Sequence, residues 1–513
     1  RRNDSTVKTL KTAYTYDDAD NMTSMTDMDI KEGQEEIYRY TAYGYDDFNR
    51  LISVSECDTD SMPSDTVINA NKIIYSYDGK DRLVSISYPD AALGVTGLEF
   101  IYNIHGWLTE VKAEGTNVFS RTIREYTYTA DGKVDEITDY TDFQSGLTGT
   151  SRWLKRSYGY DKLNRTVSIE YTDNMSSGND IREAHYYKYD KNSNITEERT
   201  VNAYGSSNGA DYEEIRGYSY DDLNHLVKTD ITKKNPQGEV ISSESNTYEY
   251  DAAGNKTRES VLSGTSVQSS TDYRFNEFNQ LISSVKKDEE GSAVSSKAYT
   301  YDLNGNQIKE IDSITGEEAD YKYDADNRLS EATGRTGETV DYEQDNKYNG
   351  FGQRVRKKEG SDETNYFYDG TAVLYTEDGN GETTTFNLIG TEDNILFTAR
   401  PAEAEETSFY SYTKDLREST INLVGSDGSS VRSYSYDDFG ETKVMGSGDF
   451  CNEVCYGAGI YDDTTGLYYL NARYYDPDTG NFLTQDTYRG SRSRTETLNL
   501  YGYCAGNPIN YTD

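Results

Sequence analysis

Side chains able to do chemistry are thinly and unevenly spread in this 513-residue sequence. Histidine occurs three times, as His105, His185 and His225, far apart along the chain. The four cysteines are Cys57, Cys451, Cys455 and Cys504. The Cys451 and Cys455 spacing suits a local disulfide or half of a zinc site. No second cysteine pair or histidine cluster completes a metal centre, so structural cysteines, free or disulfide-bonded, are expected, with no metal and no cofactor. HExxH, GxSxG, P-loop and dinucleotide glycine motifs are all missing, which removes the ordinary enzyme classes. What remains is one stretch near the end, GLYYLNARYYDPDTGNFLTQD at residues 466–486, dense in tyrosine, glycine and aspartate. It is either one more structural repeat or the place where a repetitive scaffold becomes a chemical device. Asp476 and Asp478, in DPDTG, read as turn residues.

The elements that must position this stretch are repeats. YTYD at Tyr14 returns as YGYD at Tyr43 and YSYD at Tyr75, and again at Tyr158, Tyr187, Tyr218, Tyr248, Tyr299, Tyr321, Tyr366 and Tyr434. Degenerate copies begin at Phe100, Tyr126, Tyr273 and Asn346. Alternation along a strand puts both tyrosines of YxY on one face, where stacked copies build a tyrosine ladder. The aspartate then starts a turn, as at Asp17, Asp46 and Asp302. Six residues after each motif start comes a residue tolerant of positive φ: Asp20, Asn49, Asp81, Gly106, Gly132, Asn164, Asn224, Gly254, Asn279, Gly305, Asn327, Gly352 and Gly440. Ser193 and Ala372 depart from that rule. A second strand follows, with Val84, Ile86 and Tyr88 on one face. One repeat is therefore one β-hairpin, and the fold class is all-β.

Composition says how the hairpins assemble. Hydrophobic residues make up 34% of the chain, low for a solid body of this size, yet 13% is aromatic and only 6 residues are proline, which argues against disorder. Right-handed twist coils a long ribbon. With too few apolar residues to back it by a second sheet, the ribbon is expected to enclose a hollow shell. A net charge of −40 excludes nucleic acid and anionic membrane as partners. No apolar run of about 18 residues exists, so no membrane span is expected. The chain opens RRNDSTVKTL, without Met or signal peptide, and reads as a piece of something larger.

With repeats and terminal stretch in view, the sequence resembles the Rhs/YD-repeat family, which includes bacterial Rhs polymorphic toxins, the C components of insecticidal toxin complexes, wall-associated toxins and teneurins. Repeats cover roughly residues 14–440. The segment GLYYLNARYYDPDTGNFLTQD…LNLYGYCAGNPINYTD is similar to the Rhs-associated core motif. The resemblance implies a β-shell, or cocoon, at residues 1–445, closed by a core segment at 446–513. It also implies a partner: the protein's own C-terminal toxin domain, held in the shell and freed by aspartyl autoproteolysis, with a secreted or cell-surface location. The family's RYYDPxTGRFLSxDP is matched by RYYDPDTGNFLTQD at residues 473–486. Arg473 falls on the family's functional arginine and Asp486 on its first catalytic aspartate. The second catalytic aspartate, which opens a DPxGL tail after NPxxxx, falls on Asp513. Thr487 stands where the family has proline, and YRGSRSRTET is a longer, more basic insertion than usual. The tail and the bond to be cut are expected beyond Asp513.

Two carboxylates and a cation suit that reaction. Neighbouring aspartates cannot both ionise cheaply, so one can serve as base on a water while the other protonates the carbonyl or leaving amine. The arginine holds one carboxylate ionised or stabilises the oxyanion. In the alternative, Arg473, Asp486 and Asp513 cap turns and pair as salt bridges, and the chain is a cell-surface adhesion module binding carbohydrate or a receptor through exposed tyrosines. Strands are expected to continue between Tyr366 and Tyr434, with RPAEAEET as an exposed loop. An acidic cavity lining would favour a basic cargo.

Overall fold

A computed structural model describes residues 9–31, 33–89, 94–115, 120–143, 151–175, 181–204, 211–391, 394–401, 408–446, 450–492 and 494–512. The unit is a hairpin with a five-residue connection, as between the strands Gln34–Tyr45 and Leu51–Asp58. In the copy at Tyr43, Asn49 N donates to Asp46 O and Asp46 N donates to Arg50 O, both at 3.0 Å. Asp46 Oδ1 also accepts from Phe48 N and Arg50 N. This is a type I turn closed by a left-handed residue, which the following bulge requires. All thirteen positions expected to tolerate positive φ adopt it, and Ser193 does too, at φ 70. Ala372 does not. There the strands Asp362–Asp369 and Ala372–Asp378 pair Asp369 directly with Ala372, and Gly370 turns the chain instead.

The two tyrosines of each motif do different work. In eight of the eleven YxYD copies the first is buried: Tyr75, Tyr187, Tyr218, Tyr248, Tyr299, Tyr321, Tyr366 and Tyr434; Tyr43 and Tyr158 are half-buried and Tyr14 is exposed. In several copies the second donates its hydroxyl to the carbonyl that opens the second strand of the preceding hairpin. Tyr77 reaches Leu51 O at 2.8 Å, Tyr160 reaches Val134 O at 2.7 Å, Tyr220 reaches Ile195 O at 2.6 Å and Tyr436 reaches Thr420 O at 2.6 Å. Each such bond contributes about 1 kcal/mol and fixes the register between neighbouring hairpins. Among the described residues only Tyr14, Tyr16, Tyr488 and Tyr511 are exposed tyrosines, which leaves few rings free to stack on sugars.

The hairpins join into one antiparallel sheet of 34 described strands, from Thr9–Tyr16 to Thr442–Gly446, in which each strand pairs with the next in sequence. One short helix, Asp65–Ala70, interrupts the β pattern. The ribbon winds on itself. Tyr14 hydroxyl donates to Gly350 O, Tyr75 to Asp369, Arg124 to Leu396 O, and Tyr248 to Asp438. Residues 14–248 and 350–438 thus advance side by side in the same sense.

The expectation of an unbacked ribbon needs correcting here. Strands of the late lap pack against the early hairpins: Leu374, Phe386, Leu388, Leu396, Phe397 and Phe409 share a core with Ile73, Ile86, Leu98, Phe100 and Val111. The strand Thr420–Val424 is buried at every position, with Leu423 in one cluster and Val424 in another. Strands covered on both faces need no polar alternate positions, which explains why the YxYD pattern lapses between Tyr366 and Tyr434 while strands continue. Most of RPAEAEET lies outside the described residues. Apolar burial is divided among separate clusters, and a cavity of about 1140 Å³, open to solvent, lies against the hairpins of residues 75–158. Its charged lining is four cations, Arg82, Arg124, Arg156 and Lys414, against the two carboxylates Asp369 and Glu418. This lining is not acidic, so it lends no support to a basic cargo; the repeat's aspartates are spent on turns.

Candidate functional site

After Gly446 the chain leaves the ribbon and builds a small antiparallel sheet of four strands, Ile460–Asp462, Leu467–Leu470, Arg473–Asp476 and Asn481–Phe482. The doubled tyrosines of LYYL and RYYD pair as Tyr468 with Tyr475 and Tyr469 with Tyr474. Alternation sends them to opposite faces. Tyr468 and Tyr475 pack with Tyr456, Phe482 and Tyr503 under the strands around Tyr412 and Tyr434. Tyr469 and Tyr474 pack with Tyr321, Leu329 and Tyr348 of the hairpin wall. The segment is wedged between wall and inner lap.

Arg473 and Asp486 meet. Arg473 Nη2 lies 3.2 Å from Asp486 Oδ2, with the arginine 12% and the aspartate 34% exposed. The guanidinium stands 3.5 Å above the Phe482 ring. Both residues also grip one carbonyl: Arg473 Nη1 donates to Leu500 O at 3.3 Å and Asp486 N donates to the same oxygen at 3.0 Å. Asp486 Oδ1 accepts from Tyr488 N at 2.7 Å, so one carboxylate edge faces the arginine and the other holds a turn. Phe482 N and Leu483 N donate to Tyr501 O and Tyr474 O, which locks the strand Asn481–Phe482 from which the chain runs on to Asp486. Gly305 lets this strand approach the wall, since a Cβ there would strike Gln485 and the Tyr501 hydroxyl. Asp513 lies outside the described residues. Its neighbours are well anchored: Asn507 donates to Asn224 O at 2.7 Å, and Asn510 Oδ1 accepts from Ile195 N at 2.7 Å.

Asp476 turns the chain as expected, accepting from Asp478 N and from the Thr479 hydroxyl. Burial, then the charges of Asp478 and Glu310, push its carboxyl up. Burial opposes ionisation of Asp478 as well, but Lys297 at 3.2 Å holds it low.

Sequence reasoning missed the ion cluster that docks this segment. Asp462 and Arg354 are both fully buried and lie 2.5 Å apart. Lys357 sits 3.4 Å from the other Asp462 oxygen and 2.7 Å from Glu453. Gln344 Nε2 donates to Asp462 at 3.0 Å, and Arg354 Nη1 donates to the Tyr474 hydroxyl at 2.9 Å. Burial alone would raise the Asp462 carboxyl, but Arg354 and Lys357 more than reverse that and keep it below the ordinary carboxylate range. The signal available beforehand was RVRKKE at Arg354–Glu359, four cations on one strand of an acidic chain.

Among the described residues no group of three or more metal-ligating side chains occurs, and no helix is long and apolar enough to cross a membrane. None of the four cysteines is joined in a disulfide.

The sequence profile of the family described as Teneurin YD-shell matches residues 189–509. The tRNA3(Ser)-specific nuclease WapA of Bacillus spizizenii is 32% identical over 299 residues, 57% of this chain and 11% of that protein. The tRNA nuclease WapA of Bacillus subtilis is 31% identical over 299 residues, with the same coverage. Among solved structures, TcdB2-TccC3-TEV aligns over 98% of this chain and 26% of that one, at a TM-score of 0.67 and 15% identity. TcdB2-TccC3-Cdc42 aligns over the same shares at 0.62 and 15%. The chain therefore spans about a tenth of the curated relatives it matches and about a quarter of the solved ones, which share its fold.

Proposed function

The chain belongs to the teneurin YD-shell family within the Rhs/YD-repeat proteins, and on that premise we propose that it is the shell segment of a larger, secreted or surface-borne toxin. In this reading it holds a C-terminal effector and frees it by one intramolecular aspartyl proteolysis. The observation that carries it is the Arg473–Asp486 pair fixed on the Leu500 carbonyl in a wedged segment. Asp486 would draw a proton from a water attacking the scissile carbonyl, and the second aspartate, assigned to Asp513, would protonate the departing amine. Arg473 orients Asp486 through their ion pair. A bond tethered beside the pair reacts at high effective concentration, so no separate substrate pocket is required. The nuclease activity named for the WapA relatives belongs to those proteins; the effector attached here is a separate matter, chosen by sequence beyond the shell.

The test is a longer chain running past Asp513. It is expected to release a C-terminal fragment unaided, and Asp486→Asn is expected to slow release by about 100-fold or more, the usual loss for a general base. A longer chain that stays whole, or one that cleaves as well with Asp486→Asn, overturns the reading.

A further inference from the structure

The cavity against residues 75–158 gathers charges that the self-cleavage chemistry does not use. Three cations lie together on its wall. Arg124 forks onto Asp139 and also donates to Leu396 O. Lys414 Nζ is 3.1 Å from Glu418. Arg156, between them, has no carboxylate within salt-bridge distance among the described residues. Its Nη1 donates to the Tyr158 hydroxyl at 3.1 Å and its Nη2 to Tyr412 O at 3.4 Å. Its buried Nε has no hydrogen-bond partner. Burial and the two guanidiniums beside it push the Lys414 ammonium below its ordinary value, with Glu418 opposing. Glu418 acts on the Arg156 guanidinium from beyond salt-bridge distance, but that one carboxylate is shared with Lys414 and Arg124, so a guanidinium with one donor unmade gains from a further anion.

We propose that this cavity seats an acidic stretch of polypeptide, one of its carboxylates engaging Arg156. At about 1140 Å³ it exceeds the roughly 300–1000 Å³ of small-molecule sites. Trp107, Tyr126 and Tyr128 on its wall offer aromatic and hydroxyl contacts along a chain. The charge complementarity is local, since the 513-residue chain as a whole repels acidic partners. That the stretch belongs to the enclosed effector rests on the carrier reading; that it is acidic does not.

Fluorescein-labelled octaglutamate and octalysine, titrated into the 513-residue chain at low salt and followed by anisotropy, decide the matter. Octaglutamate is expected to bind saturably and octalysine not at the cavity, with Trp107 emission shifting on octaglutamate binding and the shift lost in Trp107→Phe. Arg156→Gln is expected to weaken octaglutamate at least about tenfold, as loss of a charge-assisted hydrogen bond does, and Arg156→Lys to restore part of it. If Arg156→Gln does not fold, the Trp107 signal in the unaltered chain still decides. Octaglutamate that fails to bind, binds without moving Trp107, or binds equally to a folded Arg156→Gln overturns the proposal. So does inorganic phosphate taking the site while octaglutamate does not. Acidic-peptide binding without self-cleavage in the longer chain would sink the carrier reading and leave the cavity assignment standing; cleavage without binding would do the reverse.

Discussion

Asp462→Asn tests whether the buried ion cluster is what seats the terminal segment. Asparagine keeps the shape and the acceptor for Gln344, but removes the charge facing Arg354 at 2.5 Å. Lys357 retains Glu453 at 2.7 Å, so the group left uncompensated is Arg354, fully buried. Breaking a buried pair in this way costs about 3–5 kcal/mol, and the surviving Tyr474 and Tyr366 hydroxyls favour the lower end. The loss is local: opening of the sheet from Ile460 to Phe482 becomes easier by about 3 kcal/mol. Amide exchange over that sheet should therefore accelerate roughly 100-fold, while distant hairpins such as Tyr212–Tyr220 keep their rates. Replacing both partners, Arg354→Met with Asp462→Leu, should recover most of the protection, because an apolar pair carries no desolvation debt. The pH dependence has a definite sign. The folded carboxyl is held below its ordinary 3.8, so its stabilisation is complete above that value and is lost only as pH falls through the depressed one. Protection is expected to be flat from pH 5 to 8. Unchanged exchange in Asp462→Asn, or a double variant as exposed as the single one, refutes the reasoning.

Asp27 behaves oppositely: burial, against a hydrogen bond from Thr12, lifts its carboxyl from 3.8 to about 6. The folded state then favours the proton, so the Asp27 contribution is complete below 3.8 and is lost, by up to about 3 kcal/mol, as pH rises through 6, and Asp27→Asn should remove that component of the slope in a pH series of thermal melts. Tyr220→Phe orphans Ile195 O and should cost about 1 kcal/mol, read as lost exchange protection in Tyr212–Tyr220 and Ile195–Asn202 alone. Asn164, at φ 66, should accept glycine nearly neutrally in denaturant melts, whereas Asn164→Val should cost about 1–3 kcal/mol from the disfavoured backbone.

What was legible beforehand follows the range of the interactions involved. The hairpin turn is written in seven consecutive residues, so thirteen left-handed positions could be marked, and even Ser193 obeyed the spacing over its own preference, while Glu418, outside the YxYD copies, was missed. Ala372 failed because a two-residue turn at Gly370 replaced the longer one, and YFYDG differs too little from its neighbours to announce that. The backing of the wall by the late lap was hidden by averaging: a hydrophobic share of 34% over the chain conceals strands such as Ile395–Arg400 and Thr420–Val424 that are nearly all buried. Arg473 and Asp486 were located through motif resemblance, and they sit thirteen residues apart, one opening a strand and the other just past the strand paired with it. Asp462 and Arg354 were invisible, because 108 residues separate them and their meeting depends on the lap register, which local patterns do not encode.

A sheet in which every strand bonds to its predecessor and successor can be made in the order it is translated. Each hairpin leaving the ribosome finds its template finished and its loop closure short, so the wall lengthens by addition at one growing edge without waiting for distant sequence. Evolution can then splice in or delete whole hairpins cheaply along the run. The expense appears elsewhere: a changed hairpin number shifts which early turn faces which late strand, so compensating changes should fall on lap contacts such as Arg124 with Leu396 rather than on the turn aspartates that define the repeat.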